Sequence, residues 1–214
     1  MSRARAYHRP EDIAPWAEIV PGVGRVTVAE YENLPDDGWI YELVERVLVR
    51  MPQSGFQASA ISIRLSSRLH IFVEEHGLGE LSGEQGGYDF SDLGQPDTEL
   101  GPDIAFVRQD RLAALTPEQY TKALRLAPDL VVEVASPNQW RPGLGRKAQR
   151  YLEAGVRIVW IVWPRWQQVD VWRPGDEKPS TTLGVEDVLQ GEDVVPGFAC
   201  PVAVLFRRPA APTP

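Results

Sequence analysis

Residues 156–163 read VRIVWIVW, and from Ile158 to Trp163 no charged side chain interrupts the run. So short a segment, rich in β-branched and aromatic residues, predicts a strand rather than a helix. Side chains alternate across a strand, so an unbroken apolar run must be covered on both faces. Just before it, LGRKAQRYLEAG predicts a helix closed by Gly155, and upstream of that APDLVVEVASP predicts a second apolar strand. That strand contains Glu133 among its valines. A carboxylate in such surroundings needs a cation, because an unpaired buried charge is strongly disfavoured.

The rest of the chain predicts one core. With 214 residues, 43% hydrophobic and 24% charged, it suits a single domain over 26–207. Residues 1–25 lack a clear period and read as an N-terminal extension, and 208–214 as a proline-rich tail. Thr27 and Glu30 form a capping-box pattern, which predicts a short helix through Leu34. WIYELVERVLVRM alternates as a strand pair or one bent strand, with Glu45 and Arg46 at the turn. Ile61, Leu65, Leu69, Phe72 and Val73 recur at helical spacing up to Gly77. Short strands are expected at 79–83 and 87–90, a loop at SDLGQPDTEL, a strand at GPDIAFV and a helix over 117–124. Everything from QQVDVWRP to AVLFRRP reads as strands and turns.

Charge and motif content exclude several functions. A net charge of −8 argues against a broad electrostatic grip on nucleic acid, so any such contact must be local. The basic residues that do gather, Arg141, Arg146, Lys147, Arg150 and Arg157, read first as a solvated helix face. A single cysteine, Cys200, rules out an internal disulfide framework, suits a reducing compartment, and fits an interchain bridge equally well. No apolar stretch is long enough to span a membrane and no signal peptide is apparent, so the cytoplasm is expected. P-loop, HExxH and G-x-S-x-G patterns are missing, and His8, His70 and His76 have no metal-cluster spacing.

The informative groups are acids at strand positions. Asp103 leads the GPDIAFV strand, and Glu133 shares a face with Val131 and Ala135. If those strands lie side by side, both carboxylates point at one place, where hard oxygen ligands favour Mg²⁺ or Mn²⁺. Lys147 is the second candidate cation. It falls inside the stripe Leu144, Ala148, Tyr151 and Leu152, and so is predicted to face inward. With Glu42 these groups would make a polar pocket. Taken singly, Asp103 reads as a cap, Glu133 as half of a structural ion pair, Lys147 as a snorkelling side chain and Glu42 as solvent-facing.

Together, YELVERVLVRMP, GPDIAFV, APDLVVEVASP and KAQRYLEAGVRIVWIVWP, in that order, resemble the bacterial Uma-type putative restriction endonuclease family of the PD-(D/E)XK nuclease superfamily. The resemblance covers about Thr27 to Phe206. It implies an α/β fold, a restriction-endonuclease-like mixed β-sheet flanked by helices with additional β-hairpins. It implies hydrolysis of DNA in the presence of Mg²⁺ or Mn²⁺, with Asp103, Glu133 and the upstream acid Glu42 as metal ligands. Lys147 would orient the attacking water or stabilise the transition state, Arg146 and Arg150 would touch phosphates, and the assembly would be a homodimer. The superfamily lysine commonly stands two residues after the glutamate, where this chain has Ala135; Lys147 matches the Uma-type alternative on the next helix. Further departures are Gln57 for a frequent histidine, Gly143 for an aspartate, Trp163 within a usual VDP, and Arg46 for a turn glycine. They leave a second reading open, a degenerate relative that binds nucleic acid or protein without cleaving.

Overall fold

The computed structural model describes residues 14–51, 53–83 and 86–208. His8 and most of the carboxyl-terminal tail lie outside them. The elements in chain order are β1 (Glu18–Ile19), α1 (Val28–Tyr31), β2 (Ile40–Val44), β3 (Val47–Met51), α2 (Phe56–Glu75), β4 (Gly79–Gly83), β5 (Tyr88–Asp89), β6 (Glu99–Leu100) and β7 (Ile104–Arg108). Then come α3 (Gln109–Leu112), α4 (Pro117–Tyr120), β8 (Leu130–Val134), α5 (Arg141–Glu153), β9 (Ile158–Trp163), β10 (Gln168–Trp172), β11 (Thr181–Leu183), β12 (Val188–Gln190), β13 (Ala199–Pro201) and α6 (Val202–Phe206).

A six-stranded sheet, ordered β11-β10-β9-β8-β7-β4, forms the centre. Its β8 and β9 are parallel, as a strand–helix–strand crossover requires, and its other pairs are antiparallel, so the sheet is mixed. Strand alternation divides the apolar runs between two cores. Ile158, Trp160, Val162, Leu130, Val132 and Val134 pack against α2 through Ile61, Leu65 and Leu69. Val159, Ile161, Trp163, Val131 and Ala135 pack against α5 and against Val49, Phe90 and Leu100 of the second sheet. Both faces are thus covered, which is why β9 tolerates no charge.

The second sheet, ordered β1-β3-β2-β6-β5, is built on the β2–β3 hairpin. Its two-residue turn places both Glu45 (φ 47°) and Arg46 (φ 70°) in the left-handed region, which the preferred turn sequences fill with asparagine and glycine. Neighbours hold it there: Arg46 N–H donates to the Asp97 carbonyl (3.0 Å), Glu45 N–H to Thr98 Oγ1 (3.0 Å), and Arg150 pairs with Glu45 (2.9 Å).

Several sequence expectations are corrected. Residues 14–19 are not an appended arm: Ala14 and Trp16 are buried in the core and β1 pairs with β3. Helix α1 has its capping box but ends at Tyr31, not Leu34, and α4 ends at Tyr120. The stretch SDLGQPDTEL, expected as a loop, carries the strand β6, and α3 follows β7 directly. The stretch VAVLF is the helix α6, whose Val202, Leu205 and Phe206 close the α2 side. Helix α5 starts at Arg141 rather than Leu144, with Pro142 in its first turn, where a missing N–H is harmless.

Candidate active site

Four elements converge on one cavity of about 380 Å³, lined among others by Glu42, Glu99, Asp103 and Glu133. Strand pairing accounts for the acids. Ile104 of β7 lies opposite Val132 of β8, so Asp103, one residue earlier, comes alongside Glu133. Its Oδ2 accepts a hydrogen bond from the Val134 N–H at 2.5 Å, which ties the residue to the end of β8. Glu133 points to the α5 side, as Val131 and Ala135 do.

From α5, Lys147 reaches back beneath the two glutamates. It is completely buried, with Nζ 2.8 Å from Glu42 Oε1 and 2.9 Å from Glu133 Oε1. Tyr151 O–H, one turn on, donates to the same Glu133 oxygen at 2.7 Å. Glu42 Oε1 also accepts from the Gly101 N–H (3.1 Å), and its Oε2 accepts from Trp16 Nε1 (3.3 Å). Sequence reasoning placed these four charges together and Lys147 inward. It missed Trp16, which carries no local signal, and it took Tyr151 only as an apolar stripe residue.

Two carboxylates, Glu42 and Glu133, share the Lys147 ammonium, and Asp103 stands beside Glu133. Burial pushes the Glu133 carboxyl up to about 7; Lys147 opposes the shift, and Asp103 and Glu42 add to it. Burial alone would lower the Lys147 ammonium, but Glu133 and Glu42 hold it above its ordinary range. Burial, then Glu133 and Glu42, raise the Tyr151 phenol.

The donor set fits a divalent cation in chemistry. Asp103 and Glu133 are hard oxygen donors on one cavity wall, and Glu133 Oε2 has no hydrogen bond among the described residues. Among those residues no three His, Cys, Asp or Glu side chains are grouped as a ready-made metal cage. Lys147 lies behind the carboxylates and is absent from the cavity wall.

The remaining sequence candidates fall elsewhere. Arg150 is engaged with Glu45 at 2.9 Å and Arg141 with Asp170 at 2.9 Å, whereas Arg146 is exposed. His70 and His76 are exposed, and Cys200 is a buried packing residue. Trp163 and Trp172 belong to the core, and Trp166 is 44% exposed. Two departures from the family pattern sit in specific surroundings in this chain. A Cβ on Gly143 would lie 2.8 Å from Trp140 Nε1 and 3.3 Å from the Pro15 carbonyl, so an aspartate there requires the half-exposed Trp140 side chain to shift. Trp163 is buried and donates from Nε1 to Asp170 Oδ2 at 2.7 Å, within the Arg141–Asp170 network. Gln57 lines a neighbouring cavity together with Trp163 and Trp166.

Comparison with known proteins agrees with this architecture. The crystal structure of a protein from Anabaena variabilis, described as a putative nuclease belonging to DUF820, matches with a TM-score of 0.71 at 21% identity, over 85% of this chain and 97% of that one. Among curated proteins nothing matches. No helix among the described residues is long and apolar enough to cross a membrane. The family model Uma2, putative restriction endonuclease, matches residues 28–203, so the chain belongs to that family.

Proposed function

We propose that this protein hydrolyses DNA phosphodiester bonds with the help of Mg²⁺ or Mn²⁺, held by Asp103 and Glu133. The observation that carries the reading is the juxtaposition of those two acids on adjacent strands at one cavity, with Lys147 2.9 Å behind Glu133. A divalent cation held by Asp103 and Glu133 would supply a water of lowered pKa and offset charge on the phosphate. The chain's own groups prepare the place. Lys147 and Tyr151 fix one oxygen of Glu133, which turns the other toward ligands from the cavity. Val134 N–H fixes Asp103 in the same way. Glu42, anchored by Trp16 and the Gly101 N–H, holds the ammonium in place and adds a further acid for a second ion. Lys147 therefore acts through the carboxylates as a positioning residue, and Arg146 is the helix cation open to a phosphate.

A second reading draws on the closed ion-pair network, in which Lys147 already engages Glu42 and Glu133. It is a non-catalytic relative that retains nucleic acid or a protein partner. Purified protein incubated with plasmid and linear DNA in Mg²⁺ or Mn²⁺, beside Asp103→Ala and Glu133→Ala, separates the two. Cleavage lost in both variants supports hydrolysis, and cleavage unaffected by either overturns the assignment. Gel-shift retention without cleavage, together with no thermal stabilisation by either metal, supports the second reading.

A further inference from the structure

The cavity contains a fourth acid that the reading above leaves unused. Glu99 of β6 is 8% exposed and lines the same wall system as Asp103 and Glu133. Its Oε2 is buried without a hydrogen-bond partner among the described residues. Other buried acids outside the centre are satisfied: Asp89 by Arg125 and the Ser91 N–H, Asp129 by Arg111, and Asp170 by Arg141, Trp163 and Thr182. A desolvated carboxylate facing a cavity with no donor of its own is suited to N–H donors brought by a ligand.

The surroundings narrow the ligand. Asp89 stands directly across from Glu99 in the β5–β6 pair, and its cation Arg125 sits at 3.2 Å from Asp89 itself. Burial, then Asp89, lift the Glu99 carboxyl to about 7. The position thus repels anions and welcomes neutral donors. Trp39 and Tyr31 line the same cavity. Trp39 is 50% exposed and carries the Arg50 guanidinium 4.3 Å above its ring, while Tyr31 O–H is spent on the Tyr41 carbonyl at 2.7 Å. The cavity therefore offers aromatic surface plus one bare carboxylate, a combination that receives a planar base. Gly87 keeps the approach open, since a Cβ there would stand 2.5 Å from Glu99 Oε1.

Among the DNA bases, guanine alone places two neighbouring N–H donors, N1–H and the 2-amino group, on its pairing edge without an acceptor between them. Cytosine and adenine set a ring acceptor beside their amino group, and thymine flanks its single N–H with two carbonyls. We propose that Glu99 accepts from the N1–H and 2-amino group of an unpaired or extruded guanine, packed by Trp39, in the strand whose phosphate lies at Asp103 and Glu133. This rests on the nuclease reading and adds to it a base preference.

The test measures binding apart from cleavage. Glu133→Gln protein, without metal at about pH 8 so that Glu99 is ionised, is titrated by fluorescence anisotropy with short labelled thymidine strands carrying one central guanine, inosine or thymine. The guanine strand is expected to bind about tenfold tighter or more than the thymine strand. Inosine, which lacks the 2-amino group, should fall to near the thymine level. Adding Glu99→Gln or, separately, the surface change Trp39→Ala should remove the preference, with the thermal midpoint unchanged in Trp39→Ala and no lower in Glu99→Gln. Equal affinities, a preference that survives Glu99→Gln, or no binding to any strand overturns the proposal. Plasmid cleavage by the wild-type protein reports separately: cleavage without guanine preference overturns only this subsite, and guanine preference without cleavage overturns only the hydrolytic reading.

Discussion

Lys147 and Glu133 form an ion pair closed to solvent, 2.9 Å from Nζ to Oε1, although one stands on α5 and the other on the central strand β8. Glu42 completes it from the second sheet at 2.8 Å. One ammonium therefore joins the two layers of the molecule at the point where the candidate chemistry lies. Its removal should tell on stability before it tells on activity.

Lys147→Met leaves Glu42 and Glu133 facing each other without a counter-charge. The expected loss is about 3–5 kcal/mol, the range for breaking a buried ion pair from one side. Urea unfolding measures it. Adding Glu133→Gln should recover part of that loss, because a neutral amide removes the like-charge contact; a double variant no more stable than Lys147→Met would contradict the charge argument.

Trp16→Ala tests whether the amino-terminal segment belongs to the core. Trp16 is 5% exposed, donates to Glu42 and lies 6.0 Å from the Arg150 guanidinium. A cost of about 3 kcal/mol is expected, at the low end for a buried aromatic. Chemical denaturation gives the value, and a loss under about 1 kcal/mol would return the segment to the status of an arm.

Arg46→Gly acts in the opposite direction. At φ 70° the arginine is in backbone territory that glycine occupies at no steric cost, and its ion pair with Asp97 is long, at 3.5 Å, and substantially exposed. A gain of up to about 1 kcal/mol is expected in thermal or urea unfolding. Glu45→Gly should not share it, because it removes the 2.9 Å contact with Arg150.

The pH dependence of stability should carry the signature of Glu99. Its carboxyl is lifted from an ordinary 4.5 to about 7 by burial and then by Asp89. Between those values the folded protein keeps a proton that the unfolded chain releases. The stability from this group is fully present below about pH 4.5 and is lost as pH rises through about 7. Glu99→Gln should therefore gain on the wild type across that window, by about 3 kcal/mol at most. Melting curves at about pH 5 and pH 8 give the comparison, and a difference that stays constant between them would remove Glu99 as the cause.

Local periodicity accounts for what was legible in the chain. The unbroken run Ile158–Trp163 demanded a doubly covered strand, and alternation put Glu133 on the face of Val131 and Ala135. The stripe of α5 turned Lys147 inward before any contact was known. These are consequences of backbone geometry within one element, where side-chain direction follows from residue spacing. The capping box at Thr27 and the turn at Glu45 and Arg46 belong to the same class.

What only the tertiary structure decided is which elements meet. Nothing in the spacing says that β7 lies against β8, so the closeness of Asp103 and Glu133 depended on the pairing of Ile104 with Val132. Nor does it say that β2 would carry Glu42 to Lys147, that Trp16 would fold back onto Glu42, or that β6 would present Glu99 to the same cavity. Such contacts join residues tens of positions apart, and they are chosen by how whole apolar faces bury one another rather than by any local preference. The sequence by itself thus determined the direction of Glu133 and Lys147 along their own elements, and packing between sheets and helices determined that the site's groups share one pocket.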